Sequence, residues 1–496
     1  MTAPRLLWIG YRGNKESSHF EVVEKLKNEK LIDFFVATGA SVDSGEWKLV
    51  DEPVIPHFDA QFAKYKIFLP NSKFLIDQEI YSLCSSFEGE TLRMMDRLHK
   101  YRLDKFSSKF DVDDSFELRR RMFLLHCSFW YQYLADKKIT HVAFLGVPHE
   151  VYSFVIYKLA SLLNVKTIIF ASEKSGQFKS SRSLVTKKKK MVYLMEATFF
   201  ISENIEDIGV WRLSTSVCQS ASRLGINFYP NEELFAENKT QDQKLLFNDI
   251  EPVPKKFVGL LLKRVVRVIR NFGSSIKTLK LLFQTKLRYV EHSKLVSTDA
   301  EMCKSVLFCL AYQPEESTSP RGGVFVEQYF AINLLAACLP EGWGVRVREH
   351  PDQYRRLRPR QVNFLREISQ IPNVKIVSPG ETPIESFERA TAVAATSGSM
   401  GVDAWFAGLP TIVFGETWLK NAPGVFYVRS ISDAKDALSQ INQGFQQDKI
   451  AVKEFMNWTI SNSYKGNLWS KNIQEKELRD STVANLYGIL KVWIAS

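Results

Sequence analysis

The chain has 496 residues, of which 45% are hydrophobic and 24% are charged, with a formal net charge of +11. This length predicts two or three domains, and the composition is that of an ordinary globular protein that needs no disulfide staples. The first residues, MTAPRLLWIGYRG, contain too short an apolar run for a signal peptide, and no run of about 18 apolar residues predicts a membrane span. The six cysteines show no metal-ligand spacing, so we expect buried, reduced thiols in a cytoplasmic protein.

The first half of the chain alternates strand and helix patterns. Residues 5–10 predict a short buried strand that is followed by a polar turn and a helix. Residues 141–146 and 165–172 predict two further strands, joined by an amphipathic helix at 151–163. Successive strand–helix–strand units predict a parallel sheet with right-handed crossovers, and we assign residues 1–235 to an N-terminal Rossmann-like domain.

The middle of the chain carries an unusual concentration of positive charge. Residues 255–290 contain ten Lys or Arg and no acidic residue, and their apolar residues recur at helical spacing. Such a basic amphipathic helix either lies on an anionic bilayer or packs on its own protein as a solvated, charged helix, and the sequence leaves both interpretations open. We treat residues 236–298 as a basic linker or insertion.

A second alternating region begins near residue 300. Its predicted strands are 305–312, 343–350, 374–378, 391–397 and 410–415, and its predicted helices include 324–339, 385–390 and 399–408. This compact pattern predicts a second doubly wound, Rossmann-like domain over residues 299–470, followed by a C-terminal helix over 471–496.

Ligands of open parallel sheets bind beyond the carboxyl ends of the strands, which directs attention to the loops. The segment ATSGSMGVDAWFAG places Thr396, Ser397, Gly398, Ser399 and Gly401 at a strand-to-helix junction. Small residues let a phosphate approach the backbone, hydroxyls can donate to it, and a helix N-terminus supplies free N–H groups. The alternative is simple helix capping by Ser or Thr.

Two further loops of the second region carry candidate phosphate-binding groups. His350 closes a predicted strand and Pro351 turns the chain out of it, so the imidazole can donate to a phosphate oxygen or assist a leaving group. Arg321, in the segment PRGG, can hold a phosphate or carboxylate through two hydrogen bonds. The alternatives are a histidine bonded within its own loop and an ordinary surface arginine.

Candidate proton acceptors lie in the first half. His149 and Glu150 follow the strand 141–146, and a carboxylate facing a cleft would serve as general base for an attacking hydroxyl. The rivals are Glu16, His19 and Glu173. The alternative for Glu150 is an N-terminal helix residue that interacts with the helix dipole.

Three segments carry a resemblance to a known group of proteins: YQPEESTSPRGGVFVEQ, REHPDQ and TSGSMGVDAWFAGLPTIVFGETWLKNAPGVF. Together they resemble the C-terminal halves of bacterial capsule and surface-polysaccharide biosynthesis proteins, the relatives of capsular Kdo transferases and, more distantly, of bacterial sialyltransferases. The resemblance covers about residues 305–430. A His-Pro pair with a later Ser/Thr-rich turn also occurs in nucleotide-sugar epimerases and teichoic-acid glycerophosphotransferases.

The resemblance implies a fold and a set of site residues. It implies a GT-B-like α/β fold, in which two Rossmann-like domains face a central cleft and the C-terminal domain binds a nucleotide sugar without a bound metal or cofactor. The roles in binding the donor phosphate and nucleotide fall on His350, Pro351, Thr396, Ser397 and Ser399. The Asp/Glu-Asp-Gly motif that carries the catalytic carboxylate of the sialyltransferases is absent from this sequence. The identity of the base therefore stays open.

The expected function is glycosyl transfer in surface-polysaccharide synthesis. The donor would be a CMP-activated acidic sugar such as Kdo or a nonulosonate, and the acceptor a glycan or glycolipid at the inner membrane. A nucleotide-sugar epimerase and a non-catalytic scaffold of polysaccharide assembly are the alternatives. Nucleic acid is not an expected partner, because the basic residues alternate with Leu and Val rather than with stacking aromatic side chains.

Overall fold

The structure of the chain is a computed structural model. It describes residues 4–11, 17–39, 51, 55–56, 77–92, 116–171, 198–203, 205, 275–296, 304–313, 317–355, 360, 362–381, 383–468 and 476–496.

The described strands form two sheets. Their bounds are β1 Arg5–Tyr11, β2 Phe34–Gly39, β3 Ile55–Pro56, β4 His141–Leu145, β5 Lys166–Ala171, β6 Thr198–Ser202, β7 Lys304–Cys309, β8 Trp343–Arg348, β9 Val374–Ile376, β10 Ala392–Ala395, β11 Thr411–Val413, β12 Val425–Tyr427 and β13 Tyr464–Lys465. The first sheet has the order β13-β6-β5-β4-β1-β2-β3 and the second the order β12-β11-β10-β7-β8-β9.

Helices connect and cover these strands. Their bounds are α1 Ser18–Asn28, α2 Gln78–Ser85, α3 Phe116–Asp136, α4 Val151–Leu162, α5 Ser275–Leu295, α6 Gln328–Cys338, α7 Asp352–Arg355, α8 Val362–Ser369, α9 Pro383–Glu388, α10 Ser399–Phe406, α11 Ile431–Asn442, α12 Lys449–Ser461 and α13 Lys476–Ala495.

The first sheet is parallel from β3 to β5 and is covered on both faces. Along β1, Leu7 and Ile9 belong to one buried cluster and Leu6 and Trp8 to another. This is the alternation expected of a central strand whose two faces both carry helices. The chain moves outward from β1 through β2 to β3, then returns to place β4 on the other side of β1. The order therefore reverses between β1 and β4.

The second sheet repeats this plan with parallel strands throughout. The chain moves from β7 through β8 to β9 and then returns to β10 on the other side of β7. Along β7, Val306 and Phe308 enter one core and Leu307 and Cys309 enter another. The expected α/β class, with two doubly wound, Rossmann-like sheets, is confirmed.

The end of the chain returns to the first sheet. Strand β13 pairs antiparallel with β6, and α13 packs on α1. Trp493 of α13 is buried against the imidazole of His141 at 4.8 Å between ring centroids, and Lys491 forms an ion pair with Glu29 at 2.8 Å. The first sheet is therefore built from both ends of the chain.

Two local features differ from the sequence patterns. The helix expected over 324–339 is a 3₁₀ turn at Gly323–Val326 followed by α6, because Glu327 between them has a non-helical ψ of 89°. The antiparallel strands β6 and β13 have no counterpart in the sequence analysis, since each is short and lacks a period-2 pattern.

Four of the six cysteines lie within the described residues. Cys84, Cys127 and Cys309 are buried free thiols, and Cys338 is partly exposed. Among the described helices, none combines the length and apolarity needed to cross a bilayer.

Candidate functional site

The candidate donor-binding residues lie at the point where the strand order of the second sheet reverses. Ala395 of β10 is paired with Cys309 of β7, and Cys309 is paired with Arg348 of β8. The residues that follow these three strands therefore leave the sheet at the same edge. Adjacent strands lie about 4.8 Å apart, so the backbones at Thr396 and Glu349 are about 10 Å apart, with the β7 loop between them. This crevice is where doubly wound sheets bind ligands.

Two glycines allow the loops after β7, β10 and β11 to interlock. A Cβ atom on Gly322 would lie 2.6 Å from the carbonyl oxygen of Thr318 and 3.0 Å from Cγ2 of Thr396. A Cβ atom on Gly415 would lie 2.8 Å from the carbonyl oxygen of Arg321 and 3.2 Å from Cγ2 of Thr396. Any larger residue at either position would force the loops apart, so both glycines are part of the site although the sequence analysis gave them no role.

The backbone carbonyl of Thr396 is held by hydrogen bonds, whereas its hydroxyl makes none within the described residues. Its carbonyl oxygen accepts hydrogen bonds from the N–H groups of Phe414 at 3.1 Å and Gly415 at 2.8 Å. Its side chain is fully buried, and its Oγ1 has no hydrogen-bond partner among the described residues. Buried hydroxyls are rarely left unpaired in proteins, so this atom is suited to a ligand.

The neighbouring hydroxyl has a different role. Ser397 Oγ donates to the carbonyl oxygen of Ser317 at 2.6 Å and ties the β10 loop to the β7 loop. Because a hydroxyl has one proton, Ser397 holds the loops together in this structure and can offer a ligand only its lone pairs.

Helix α10 points its N-terminus into the same crevice. Its N-cap is Gly398, which makes no side-chain capping bond, and Ser399 is the first helical residue. No heavy atom lies within 4 Å of a Cβ placed on Gly398, so the approach to this backbone is open. Gly401 faces the sheet, where a Cβ would contact Thr411 and Ala395 at 3.6 and 3.7 Å. The first residues of α10 therefore present free N–H groups to the crevice, whereas Gly401 brings the helix close to the sheet.

His350 is partly buried and has a defined tautomer. Its Nδ1 accepts a hydrogen bond from the backbone N–H of Asp352 at 3.2 Å, so the neutral ring carries its proton on Nε2. Pro351 begins the turn that leads into the short helix α7, where the N–H of Tyr354 donates to the Pro351 carbonyl. The loop thus holds His350 as a hydrogen-bond donor.

An ion pair that the sequence analysis missed positions His350. Arg360 Nε lies 2.9 Å from Glu349 Oε2, and the two side chains are only 8% and 2% exposed. Glu349 Oε1 also accepts the backbone N–H of His350 at 2.7 Å. Arg360 further donates to the side chain of Gln313 at 2.9 Å and to the carbonyl oxygen of Ala311. The guanidinium therefore joins the β7 loop to the β8 loop. In the sequence, the one indication of this ion pair was Glu349, which directly precedes the His-Pro pair in REHPDQ.

Arg321 lies within the interlocked loops rather than on an open surface. It is 6% exposed, and its carbonyl oxygen accepts the N–H of Glu416 at 2.8 Å. The structure therefore brings Arg321 next to the Thr396 turn.

Asp403, also missed, places a carboxyl one helical turn behind Ser399. Burial raises its pKa to about 7, from the ordinary value of 3.8, and it forms no hydrogen bond or ion pair within the described part of the chain. A carboxyl that titrates near neutral pH can hold or release a proton in a reaction. The signal in the sequence was a single carboxylate inside the otherwise apolar run GVDAWFAGL.

His149 and Glu150 lie at the corresponding reversal in the first sheet, after β4. His149 Nδ1 donates to the carbonyl oxygen of Val147 at 2.7 Å, so the neutral ring has its lone pair on Nε2. Glu150 is 9% exposed and forms the N-cap of α4, and its backbone N–H donates to Ser153 Oγ at 3.2 Å. The histidine is thus held as an acceptor and the carboxylate lies at a helix N-terminus.

Of the rival proton acceptors, His19 lies within the described residues. His19 is 3% exposed and stacks on Trp8 with 5.1 Å between ring centroids, inside the aromatic core of the first sheet. Glu16 and Glu173 lie outside the described residues.

One apolar cluster joins the two candidate regions. It contains Val147 and Val151, on either side of His149 and Glu150, and also Val402 and Trp405 of α10. Helix α10 therefore packs its outer face toward the first sheet while its N-terminus lies at the second.

Within the described ranges, no group of three or more His, Cys, Asp or Glu side chains is arranged to hold a metal ion.

Comparisons with known proteins give only distant similarities. No family model matches the chain, and no curated protein matches it. A solved structure of the Thermosulfurimonas dismutans KpsC beta Kdo 2,4 transferase is 10% identical, with 70% of this chain and 87% of that chain covered and a TM-score of 0.30. The UDP-GlcNAc 2-epimerase of Methanocaldococcus jannaschii is 12% identical, with coverages of 92% and 99% and a TM-score of 0.24. The spinosyn rhamnosyltransferase SpnG is 9% identical, with coverages of 97% and 99% and a TM-score of 0.23. Likenesses this distant do not assign an activity.

Proposed function

We propose that this protein is a nucleotide-sugar-dependent glycosyltransferase that binds its donor at the second sheet. One observation carries the proposal: three groups lie within about 10 Å of each other at one edge of the sheet. They are the imidazole donor of His350, the unpaired buried hydroxyl of Thr396 and the N-terminus of α10, which has no side-chain cap. All three groups suit a phosphate, and the strand reversal is the usual place for a nucleotide.

The chemical task of these groups is to stabilise the leaving phosphate. As the bond between the sugar and the donor phosphate breaks, negative charge grows on the phosphate oxygens. The Nε2–H of His350, the Thr396 hydroxyl and the first N–H groups of α10 would stabilise that charge. Arg321 would be a further cation, and Pro351, Ser397 and Ser399 would shape the loops.

The acceptor hydroxyl must lose a proton. We propose that the first sheet supplies the base, because the Nε2 of neutral His149 is an acceptor and Glu150 is a carboxylate beside it. The acceptor would be a glycan or glycolipid, and the basic segment 255–290 would hold the enzyme at an anionic membrane surface such as the inner membrane. The donor would be a CMP-activated acidic sugar such as Kdo or a nonulosonate, without a bound metal or cofactor, as the sequence resemblance implies.

The test is a thermal-shift panel with CMP, UDP, GDP and CDP. A ligand that binds only the native state raises the melting temperature, so a selective shift identifies the donor nucleotide. Thr396→Val should reduce that shift while leaving the unliganded melting temperature unchanged or slightly higher, because it replaces an unpaired buried hydroxyl by a methyl group. Thr459→Val, equally buried in α12 but donating to Phe455, is the matched control and should keep the shift.

Three outcomes would contradict the proposal. A chain that binds none of the four nucleotides would instead be a scaffold. Conversion of a free nucleotide sugar without any acceptor would identify an epimerase. An unchanged shift in Thr396→Val would remove that hydroxyl from the donor site.

A further inference from the structure

Helix α5 uses one side to attach to the second sheet. Thr285 and His292 are buried, and Leu295 packs on the core of that sheet. His292 Nδ1 lies 2.6 Å from the Tyr354 hydroxyl, and its Nε2 lies 2.9 Å from the carbonyl oxygen of Val377, which can only accept. The helix is therefore fixed by its inward side, and Tyr354 joins it to the loop that carries His350.

The opposite side of α5 presents a row of exposed apolar side chains. Phe283, Leu287 and Val290 are 64%, 47% and 43% exposed. Spacings of four and three residues at about 100° per residue place all three within about 60° of arc, opposite Thr285 and His292. We call Phe283, Leu287 and Val290 the outward stripe.

The surroundings of the outward stripe are positively charged. Residues 275–296 contain five Lys or Arg and one Glu, and Lys286 and Lys294 are exposed beside the stripe. The preceding sequence, residues 255–274, adds six Lys or Arg and no acidic residue. A row of apolar side chains flanked by lysines matches an anionic lipid surface, where the side chains enter the acyl boundary and the ammonium groups remain among the headgroups.

The size of the stripe favours lipid over a protein partner. A stable protein interface covers about 800 Å² on each partner, far more than three half-exposed side chains provide. Shallow insertion reinforced by charge requires no such area, since each Lys or Arg near an anionic surface adds its own attraction to the lipid headgroups.

We infer that the outward stripe, with Lys286 and Lys294, is a docking face for an anionic phospholipid bilayer. The inference rests on the membrane contact in the proposed function and identifies the face that makes it. Because Tyr354 links α5 to the His350 loop, docking also fixes the direction in which the candidate donor site faces the membrane.

Vesicle flotation of the full chain tests the inference. Vesicles of equal parts phosphatidylglycerol and phosphatidylcholine should bind the protein about tenfold or more tightly than vesicles of phosphatidylcholine alone. The triple variant Phe283→Ser, Leu287→Ser, Val290→Ser and the charge variant Lys286→Glu, Lys294→Glu should each lose about tenfold or more of this binding. The control, Ile431→Ser with Ile450→Ser, removes apolar side chains that are 61% and 72% exposed elsewhere and should bind like the wild type.

Several results would overturn the inference. If either α5 variant binds vesicles as tightly as the wild type, the stripe or its lysines do not make the contact. If the wild type binds vesicles equally well with and without phosphatidylglycerol, the contact does not depend on anionic lipid. Sedimentation velocity without vesicles that shows a dimer in the wild type and a monomer in the triple variant would assign the stripe to a second copy. If the triple variant fails to fold, the charge variant decides, since both lysines are exposed. A nucleotide shift that persists while flotation is lost, or the reverse, separates failure of the docking face from failure of the donor site.

Discussion

The two sheets reverse their strand order in the same way, yet the loops at the two reversals are built differently. At the second sheet, polar groups join loop to loop: Arg360 connects the loops after β7 and β8, and Ser397 connects those after β7 and β10. At the first sheet, the loop after β4 lies between Val147 and Val151 of an apolar cluster. The same fold therefore carries loops that polar contacts tie together in one half and a loop embedded in an apolar cluster in the other.

The two candidate histidines show the same contrast. The Asp352 N–H gives neutral His350 a proton on Nε2, whereas the Val147 carbonyl gives neutral His149 a lone pair there. A donor suits a leaving phosphate and an acceptor suits an attacking hydroxyl.

The largest effect on stability is expected from breaking the ion pair between Arg360 and Glu349. Arg360→Met leaves the Glu349 carboxylate buried without its cation, which should lower the free energy of unfolding by about 3–5 kcal/mol in chemical denaturation. Arg366→Met, on the exposed face of α8, is the control and should change it by less than about 0.5 kcal/mol. Adding Glu349→Gln to Arg360→Met should recover part of the loss. If the free energy of unfolding of Arg360→Met is within about 0.5 kcal/mol of the wild-type value, the ion pair does not hold the loops after β7 and β8 together.

The next effect separates the two histidines by their roles. His350→Ala and His149→Ala should each lower turnover about 100-fold or more with the donor identified by the nucleotide panel, while melting temperatures change little. His350→Gln should retain part of the activity, because its amide N–H can reach the Nε2 position. His149→Gln should retain none, since an amide is not a base. Equal rescue at both positions would contradict the assigned tautomers.

A pH effect of intermediate size is expected from Asp403. Its pKa is raised to about 7 in the folded protein, so between about pH 4 and pH 7 the folded state holds a proton that the unfolded state has released. Stability should therefore fall as pH rises through this window, by about 2–4 kcal/mol, and stay level above it. Asp403→Asn should flatten the slope in urea denaturation.

Asp433 provides the matched control for this pH effect. Hydrogen bonds with the backbone of Arg429 and with the side chain and backbone of Ser430 lower the pKa of its carboxyl. Its contribution to stability is therefore present above its ordinary pKa and is lost as pH falls, so Asp433→Asn should leave the slope between pH 4 and pH 7 in place. An unchanged slope in Asp403→Asn would show that its carboxyl is ionised in the folded protein throughout this range.

The smallest effect tests how closely a ligand approaches α10. Gly398→Ala introduces a Cβ with no neighbour within 4 Å at a φ of −75°, so stability should fall by less than about 1 kcal/mol. Nucleotide affinity, measured by calorimetry, should fall several-fold if the phosphate contacts this backbone. Gly401→Ala, whose Cβ would make ordinary contacts from 3.6 Å, is the control and should leave affinity unchanged. The same affinity in both variants would place the ligand elsewhere.

The sequence predicted the periodic parts of this molecule and missed those set by distant contacts. Strands such as β1, β4 and β7 are continuous apolar runs between turns, so composition alone identifies them. The edge strand β13 exists because it pairs with β6, more than 260 positions earlier in the chain, and no local pattern predicts that pairing. The rule that ligands bind beyond strand ends selected the His350 and Thr396 loops. The roles of Gly322, Gly415 and Arg360 depend on which loops meet, and the desolvation of Asp403 depends on what covers it.

The return of the chain end to the first sheet has a consequence for biosynthesis. While the ribosome is still making the second sheet, two surfaces of the first half lack their partners. The edge of β6 has not yet paired with β13, and the face of α1 is not yet covered by α13. The first sheet is thus completed only after the second sheet has been synthesised, and the nascent chain carries an unpaired strand edge until residues 464–465 are available. Such an edge is where a chaperone would be expected to bind and where intermolecular strand pairing would begin.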